Sequence, residues 1–177
     1  MKIKISKSEQ NDIESSKFFG QAFIPEKWLF GDEFSPTEIF FCQIRLADLN
    51  GLAPEGSLPE DGYLYFFFDF DCKPAKGIVR YSRNPDSYTF FNEGAELDYD
   101  VETEYPIAFE AASVADNGMF LKENKLVENE ICLLKFTPDS FSGMDFLSGV
   151  AGCVCFVINE PDLLAGRFDK AFLVNLT

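Results

Sequence analysis

The chain has 177 residues, 46% of them hydrophobic and 25% charged, proportions that suit one globular domain and exclude a collagen-like, heptad-repeat or disordered chain. Thirty Asp and Glu against fifteen Lys and Arg leave a formal net charge of −15, which repels polyphosphate and anionic membranes and argues against nucleic-acid and membrane partners. There is no His, which removes Ser-His and Cys-His catalysis together with His-ligated metals.

The first expected element is a strand over residues 2–5, where Lys2-Ile3-Lys4-Ile5 alternates charged and apolar residues. The same alternation leaves no apolar stretch for a signal peptide, so the expected location is cytoplasmic. Trp28, shortly after Pro25, is expected as a packed lid on the core. Strands follow at 38–46 and 63–70. Between them Asp48-Leu49-Asn50-Gly51 reads as a turn or one helical turn, and residues 50–59 as a loop dense in Pro and Gly. Tyr63-Leu64-Tyr65-Phe66-Phe67-Phe68 is far short of the roughly 20 residues of a membrane-spanning helix. Leu64, Phe66, Phe68 and Phe70 share one face, Tyr63, Tyr65, Phe67 and Asp69 the other; both are largely apolar, which places this strand centrally. Further strands are expected at 77–82, 95–105, 107–114, 130–136, 152–158 and 169–176. Glu160-Pro161-Asp162-Leu163-Leu164-Ala165-Gly166 carries Pro near a first helical turn and Gly just beyond the last. The expected fold class is α+β, mainly β, in a single domain spanning 1–177 with few short helices.

Residues 41–69 recur in altered form at 131–159, an offset of 90 in a chain of 177. Phe41-Cys42-Gln43-Ile44-Arg45-Leu46 lies over Ile131-Cys132-Leu133-Leu134-Lys135-Phe136, and Gly62 through Asp69 lies over Gly152 through Asn159 without a gap. Duplication of a strand-loop-strand unit accounts for this, and two such units sharing one core predict approximate two-fold symmetry. The block Ser16-Lys17-Phe18-Phe19-Gly20-Gln21-Ala22-Phe23-Ile24-Pro25 with Trp28, the strand Phe41-Cys42-Gln43-Ile44-Arg45-Leu46-Ala47-Asp48-Leu49, and Leu58-Pro59 through Gly62-Tyr63-Leu64-Tyr65-Phe66-Phe67 together resemble the YwqG-like family of uncharacterised bacterial proteins. The tail, from Leu133-Leu134 through Asp162-Leu163-Leu164 to Phe168, is similar to that family's closing strands. The resemblance covers about 16–71 and 130–176; between them this chain lacks the family's His-containing, Gly-rich segment. It implies a mixed, largely β fold with internal pseudo-symmetry and brings no activity, substrate or catalytic residue.

The feature furthest from an ordinary surface is Glu96-Leu97-Asp98-Tyr99-Asp100-Val101-Glu102-Thr103-Glu104-Tyr105. In a strand, side chains alternate faces, so Glu96, Asp98, Asp100, Glu102 and Glu104 would line one face at a spacing of about 6.5–7 Å. In water each neighbouring pair costs roughly 0.6 kcal/mol before salt screening, which a fold carries easily. The run reads as a solvated sheet face or edge, as a stripe balanced by basic side chains on adjacent strands, or as a docking face for a basic protein, of the immunity or inhibitor type. Calcium is disfavoured, because its ligands must converge whereas a strand spreads them. A carboxylate-dependent enzyme on a small molecule or sugar, and a structural or oligomer-forming role, are the rival readings. The expectation is no catalytic residue, no metal and no cofactor. Cys42, Cys72, Cys132, Cys153 and Cys155 lack paired zinc spacing and read as reduced, mostly buried thiols, with Cys42 and Cys132 at equivalent positions of the two units.

Overall fold

The computed structural model describes residues 1–6, 12–31, 33–69, 75–89, 104–113, 115–121, 123, 125–137 and 152–176. Its strands are β1 (Lys2–Ile5), β2 (Lys17–Phe18), β3 (Ala22–Ile24), β4 (Glu38–Arg45), β5 (Tyr63–Asp69), β6 (Lys76–Ser82), β7 (Ser87–Thr89), β8 (Tyr105–Glu110), β9 (Glu130–Phe136), β10 (Cys153–Asn159) and β11 (Phe172–Leu176). The helices are short: α1 (Glu26–Leu29), α2 (Glu160–Leu164), and 3-10 turns at Leu46–Leu49 and Phe168–Lys170. The fold is mainly β. No helix among the described residues is long and apolar enough to cross a membrane.

A six-stranded sheet runs β1-β8-β2-β4-β5-β6, a three-stranded sheet β11-β10-β9, and β3 pairs with β7. Gly118 links the two larger sheets, bridging Lys2 of β1 and Lys135 of β9. Gly118 N–H donates to Lys135 O at 2.9 Å, and Gly118 O accepts from Lys135 N–H at 2.7 Å. At the other end β6 lies beside β11, close enough that a Cβ on Gly77 would come within 3.1 Å of Leu173 Cβ. The sheets therefore wrap one main core. β5 is central, as its two apolar faces require, and all of its residues are buried. Phe66 and Phe68 meet Phe156 at ring-centroid distances of 5.1 and 5.3 Å, and Phe41 meets Phe136 at 4.4 Å. The opposite face, Tyr63, Tyr65 and Phe67, is capped by Ala22, Ile24 and Trp28. Trp28 packs edge-on to Tyr65 at 5.5 Å and is a lid on this second cluster.

Each of β4 and β9 contains one extra residue. In β4 the register passes from Phe40↔Phe67 to Cys42↔Phe66, stepping over Phe41, whose carbonyl accepts from Phe19 N–H at 2.9 Å instead; in β9 it passes from Cys132↔Val157 to Leu134↔Phe156, stepping over Leu133. Such bulges turn neighbouring side chains to the same face. Phe41 and Cys42 both enter the main core while Phe40 is buried in the cluster on the other face, and Leu133 and Leu134 both enter it while Cys132 is buried in a separate cluster on the opposite face.

Shifting β4 by 92, β5 by 90 and β6 by 94 carries the pairs Cys42↔Phe66, Ile44↔Leu64 and Phe66↔Val79 onto Leu134↔Phe156, Phe136↔Val154 and Phe156↔Leu173. Gly62 and Gly152 both precede the central strand with positive φ, 97° and 88°. A three-stranded meander thus recurs in pairing geometry. The constant offset of 90 is kept by the central strand alone, so the expected duplication of 41–69 at 131–159 is not confirmed. Cys42 is matched by Leu134 in the register, not by Cys132.

The structure also corrects the segment around Pro106. Strands expected at 95–105 and 107–114 are replaced, over the described residues, by one strand that passes through the proline and ends at Glu110. Pro106 faces Lys17 in a pair whose ladder bond is Ile107 N–H to Ser16 O, 3.0 Å, so its missing N–H is not needed there. β8 stops at Glu110 because its partner β1 begins opposite, at Lys2.

Candidate functional site

Of the five carboxylates in the acidic run, Glu96, Asp98, Asp100 and Glu102 lie outside the described residues. Glu104 is described, and it does not face solvent. Its Oε1 accepts from Lys17 Nζ at 2.7 Å, with the two side chains 5% and 0% exposed. The Gln21 N–H adds a contact at 3.3 Å to the same oxygen. The turn that presents this N–H has Phe19 and Gly20 both at positive φ, 56° and 71°, and a Cβ on Gly20 would come within 2.1 Å of Glu104 Cγ. Burial holds the Lys17 ammonium below its usual pKa, and the hydrogen bond to Glu104 opposes that shift. As a docking residue Glu104 is therefore corrected to a structural anchor.

Lys17 belongs to a row across the six-stranded sheet. The register sets Lys17 beside Gln43, Gln43 beside Tyr65, and Tyr65 beside Arg80. Each is satisfied, as buried polar groups must be. The Gln43 amide donates to Ile13 O at 2.7 Å and Ser15 O at 2.8 Å, and accepts from Phe23 N–H at 2.8 Å. Tyr65 donates to Phe23 O at 2.7 Å. Arg80 forks onto both Glu38 oxygens at 2.6 and 3.0 Å, with its guanidinium over the rings of Phe34 and Phe67 at 4.6 and 5.0 Å. These bonds fasten the chain before β2, the strand β3 and the start of β4 onto the sheet. Sequence reading missed this row because Lys17 stands between Ser16 and Phe18 and Arg80 between Val79 and Tyr81, in segments whose pattern marks the face only after the cross-strand partner is known.

Across the described residues, eight of the chain's fifteen cations are in ion pairs, each with a different carboxylate: Lys4–Glu110, Lys17–Glu104, Arg45–Asp48, Arg80–Glu38, Arg83–Asp61, Lys135–Glu123, Arg167–Asp162 and Lys170–Asp169. These eight cations are spent one for one on carboxylates of the same chain, and fifteen cations in all cannot neutralise thirty acids.

Cys42, Cys132 and Cys155 are buried and Cys153 is half-buried, all as free thiols; Cys72 lies outside the described residues. Cys132, Cys153 and Cys155 gather on the outer face of the three-stranded sheet with Val157 and Leu176. The hydrogen bond to Cys132 and burial push the Cys155 thiol up, and burial does the same to Cys153 and Cys42. Thiols held protonated in this way are poor nucleophiles. No group of three or more Cys, Asp or Glu among the described residues is placed to hold a metal ion.

In comparisons with known proteins, no family model matches this chain and no curated protein matches it significantly. The resemblance carried by residues 16–71 and 130–176 therefore assigns no family.

Proposed function

We propose that this protein is a non-enzymatic, cytoplasmic binding protein that docks a basic protein partner through Glu96, Asp98, Asp100 and Glu102, in the manner of an immunity protein or inhibitor. What supports the reading is the distribution of charge: the net charge is −15, and eight cations are already committed to carboxylates of the same chain. An acidic surface speeds encounter with a basic partner and repels acidic ones. Glu104 stands apart from the docking residues, its charge already met by Lys17.

The test is capture from native lysate at low and moderate salt, comparing the wild type with a variant carrying Glu96→Gln, Asp98→Asn, Asp100→Asn and Glu102→Gln. Glu104 is left intact so that the fold is preserved. A basic protein retained by the wild type, released by salt and absent from the variant is the expected result. Identical recovery by both baits overturns the reading.

A further inference from the structure

The loop between β4 and β5 closes on itself and forms a pocket that uses neither the acidic run nor the buried polar row. Leu46 N–H donates to Gly62 O at 2.9 Å, so the ends of the segment meet, as in an Ω-loop. Inside it, Leu52 and Ala53 N–H both return to Leu49 O at 2.9 and 3.1 Å. The Ser57 hydroxyl and N–H both reach Pro54 O, at 2.6 and 3.1 Å. These bonds, with Pro54 and Pro59, fix the loop before any ligand arrives.

The pocket they frame has a volume of about 140 Å³. Its floor is Leu46 and Leu49, both buried in the main core, and its walls include Ala53 and Leu58. An apolar cavity of about 150 Å³ accepts benzene, so the space suits one side chain of Leu to Phe size. Glu60 lines the mouth and Glu55 lies on the same loop, both exposed. Among the described residues neither is in an ion pair; the nearby Arg83 is held by Asp61 at 2.9 Å, with Glu60 a weaker electrostatic neighbour. A preformed pocket with a Leu floor, Glu60 in its lining and Glu55 on the same loop is complementary to an apolar side chain flanked by cations.

We propose that this pocket anchors a basic protein partner by one Leu- or Phe-sized side chain flanked by Lys or Arg, the side chain seated over Leu46 and Leu49 and the cations meeting Glu55 and Glu60. The site is distinct in residues from the acidic run and rests on that reading only for the sign of the partner's charge.

The probe is acetyl-Lys-Phe-Lys-amide at millimolar concentration, titrated into the uniformly 15N-labelled chain and followed by amide chemical shifts. Shifts are expected at Gly51, Ala53, Leu58 and Glu60, with affinity at least tenfold weaker for Lys-Ala-Lys and for Glu-Phe-Glu. Ala53→Phe, which fills the pocket from its wall, abolishes them. Should that variant fold poorly, Glu55→Gln with Glu60→Gln, both exposed positions, decides the matter by weakening the complex several-fold and flattening its salt dependence. Equal responses to the three peptides, no response at the loop, or an unchanged affinity in the Gln variant each overturn the proposal. Repeating the titration in the variant with neutralised residues 96 to 102 separates the two sites: loop shifts persisting there support the pocket whatever the fate of the acidic run, and intact lysate capture without loop shifts refutes the pocket alone.

Discussion

Lys17 and Glu104 show how burial changes what a charge is worth. An exposed pair such as Lys4–Glu110, with side chains 56% and 48% exposed, contributes at most about 1 kcal/mol. The buried pair has no water to fall back on, so removing one partner strands the other. Lys17→Met and Glu104→Leu should each cost about 3–5 kcal/mol, whereas the double variant should recover most of the loss, since apolar groups of similar volume replace a buried ion pair at little cost. Urea midpoints for the four proteins measure this. Single variants no worse than about 1 kcal/mol would show that water reaches the pair. The docking experiment depends on the same point, because a variant that also changed Glu104 would lose binding by unfolding.

At the scale of elements, period-2 patterning was sufficient wherever a strand was long and apolar on both faces: β5, β9 and β10 fall within a residue of the expected spans. It failed for β2, β3 and β7, which have two or three residues each and no room for a period. It also failed for the bulges at Phe41 and Leu133, because one extra residue preserves composition while reversing which side chains point inward. That is why Cys42 and Cys132 aligned as letters and separated in space. Glu104 is a related case: alternation says which side chains share its face, and only the cation across from it, here Lys17 of β2, shows that this carboxylate is buried. The central place of β5 carries its own expectation. Phe66 is fully buried, pairs with Cys42 and Val79 on its two sides, and touches Phe156 at 5.1 Å. Phe66→Ala should lower stability by about 3–5 kcal/mol. A midpoint of denaturation near wild type would mean that the core closes over the gap or that β5 is not central.

For the molecule as a whole, the missing His leaves neutral pH without an unperturbed side chain to titrate, so the first loss of stability on the basic side comes from buried thiols and phenols. Burial pushes Cys42 well above its ordinary 9.0 and Tyr65 well above its ordinary 10.0, and both are fully inaccessible. Cys155, equally buried, is raised from 9.0 by its hydrogen bond to Cys132 and by burial. In each case the folded chain keeps a proton that the unfolded chain releases above those ordinary values. The unfolded state then binds fewer protons, and stability falls as pH rises, by about 1.4 kcal/mol per pH unit for each group once it is ionised in the unfolded chain. Lys17 acts in the other direction: its lowered pKa means that the folded state sheds a proton before the unfolded state does, which adds stability up to its ordinary 10.5. The Met1 amino group, lowered by burial from its ordinary 8.0, acts as Lys17 does at a lower pH; these two amines stand against three raised thiols, Cys153 included, and the raised phenols of Tyr63, Tyr65 and Tyr81, which leaves a net decline above about pH 9. Unfolding free energy should therefore rise slightly towards about pH 8, as the amino terminus of the unfolded chain titrates, and drop by several kcal/mol between about pH 9 and 10.5, measured by urea titration under reducing conditions. Cys42→Val should remove one group's share of the slope, and a curve that stays flat or rises through that window would mean that these side chains are reached by water in the folded chain.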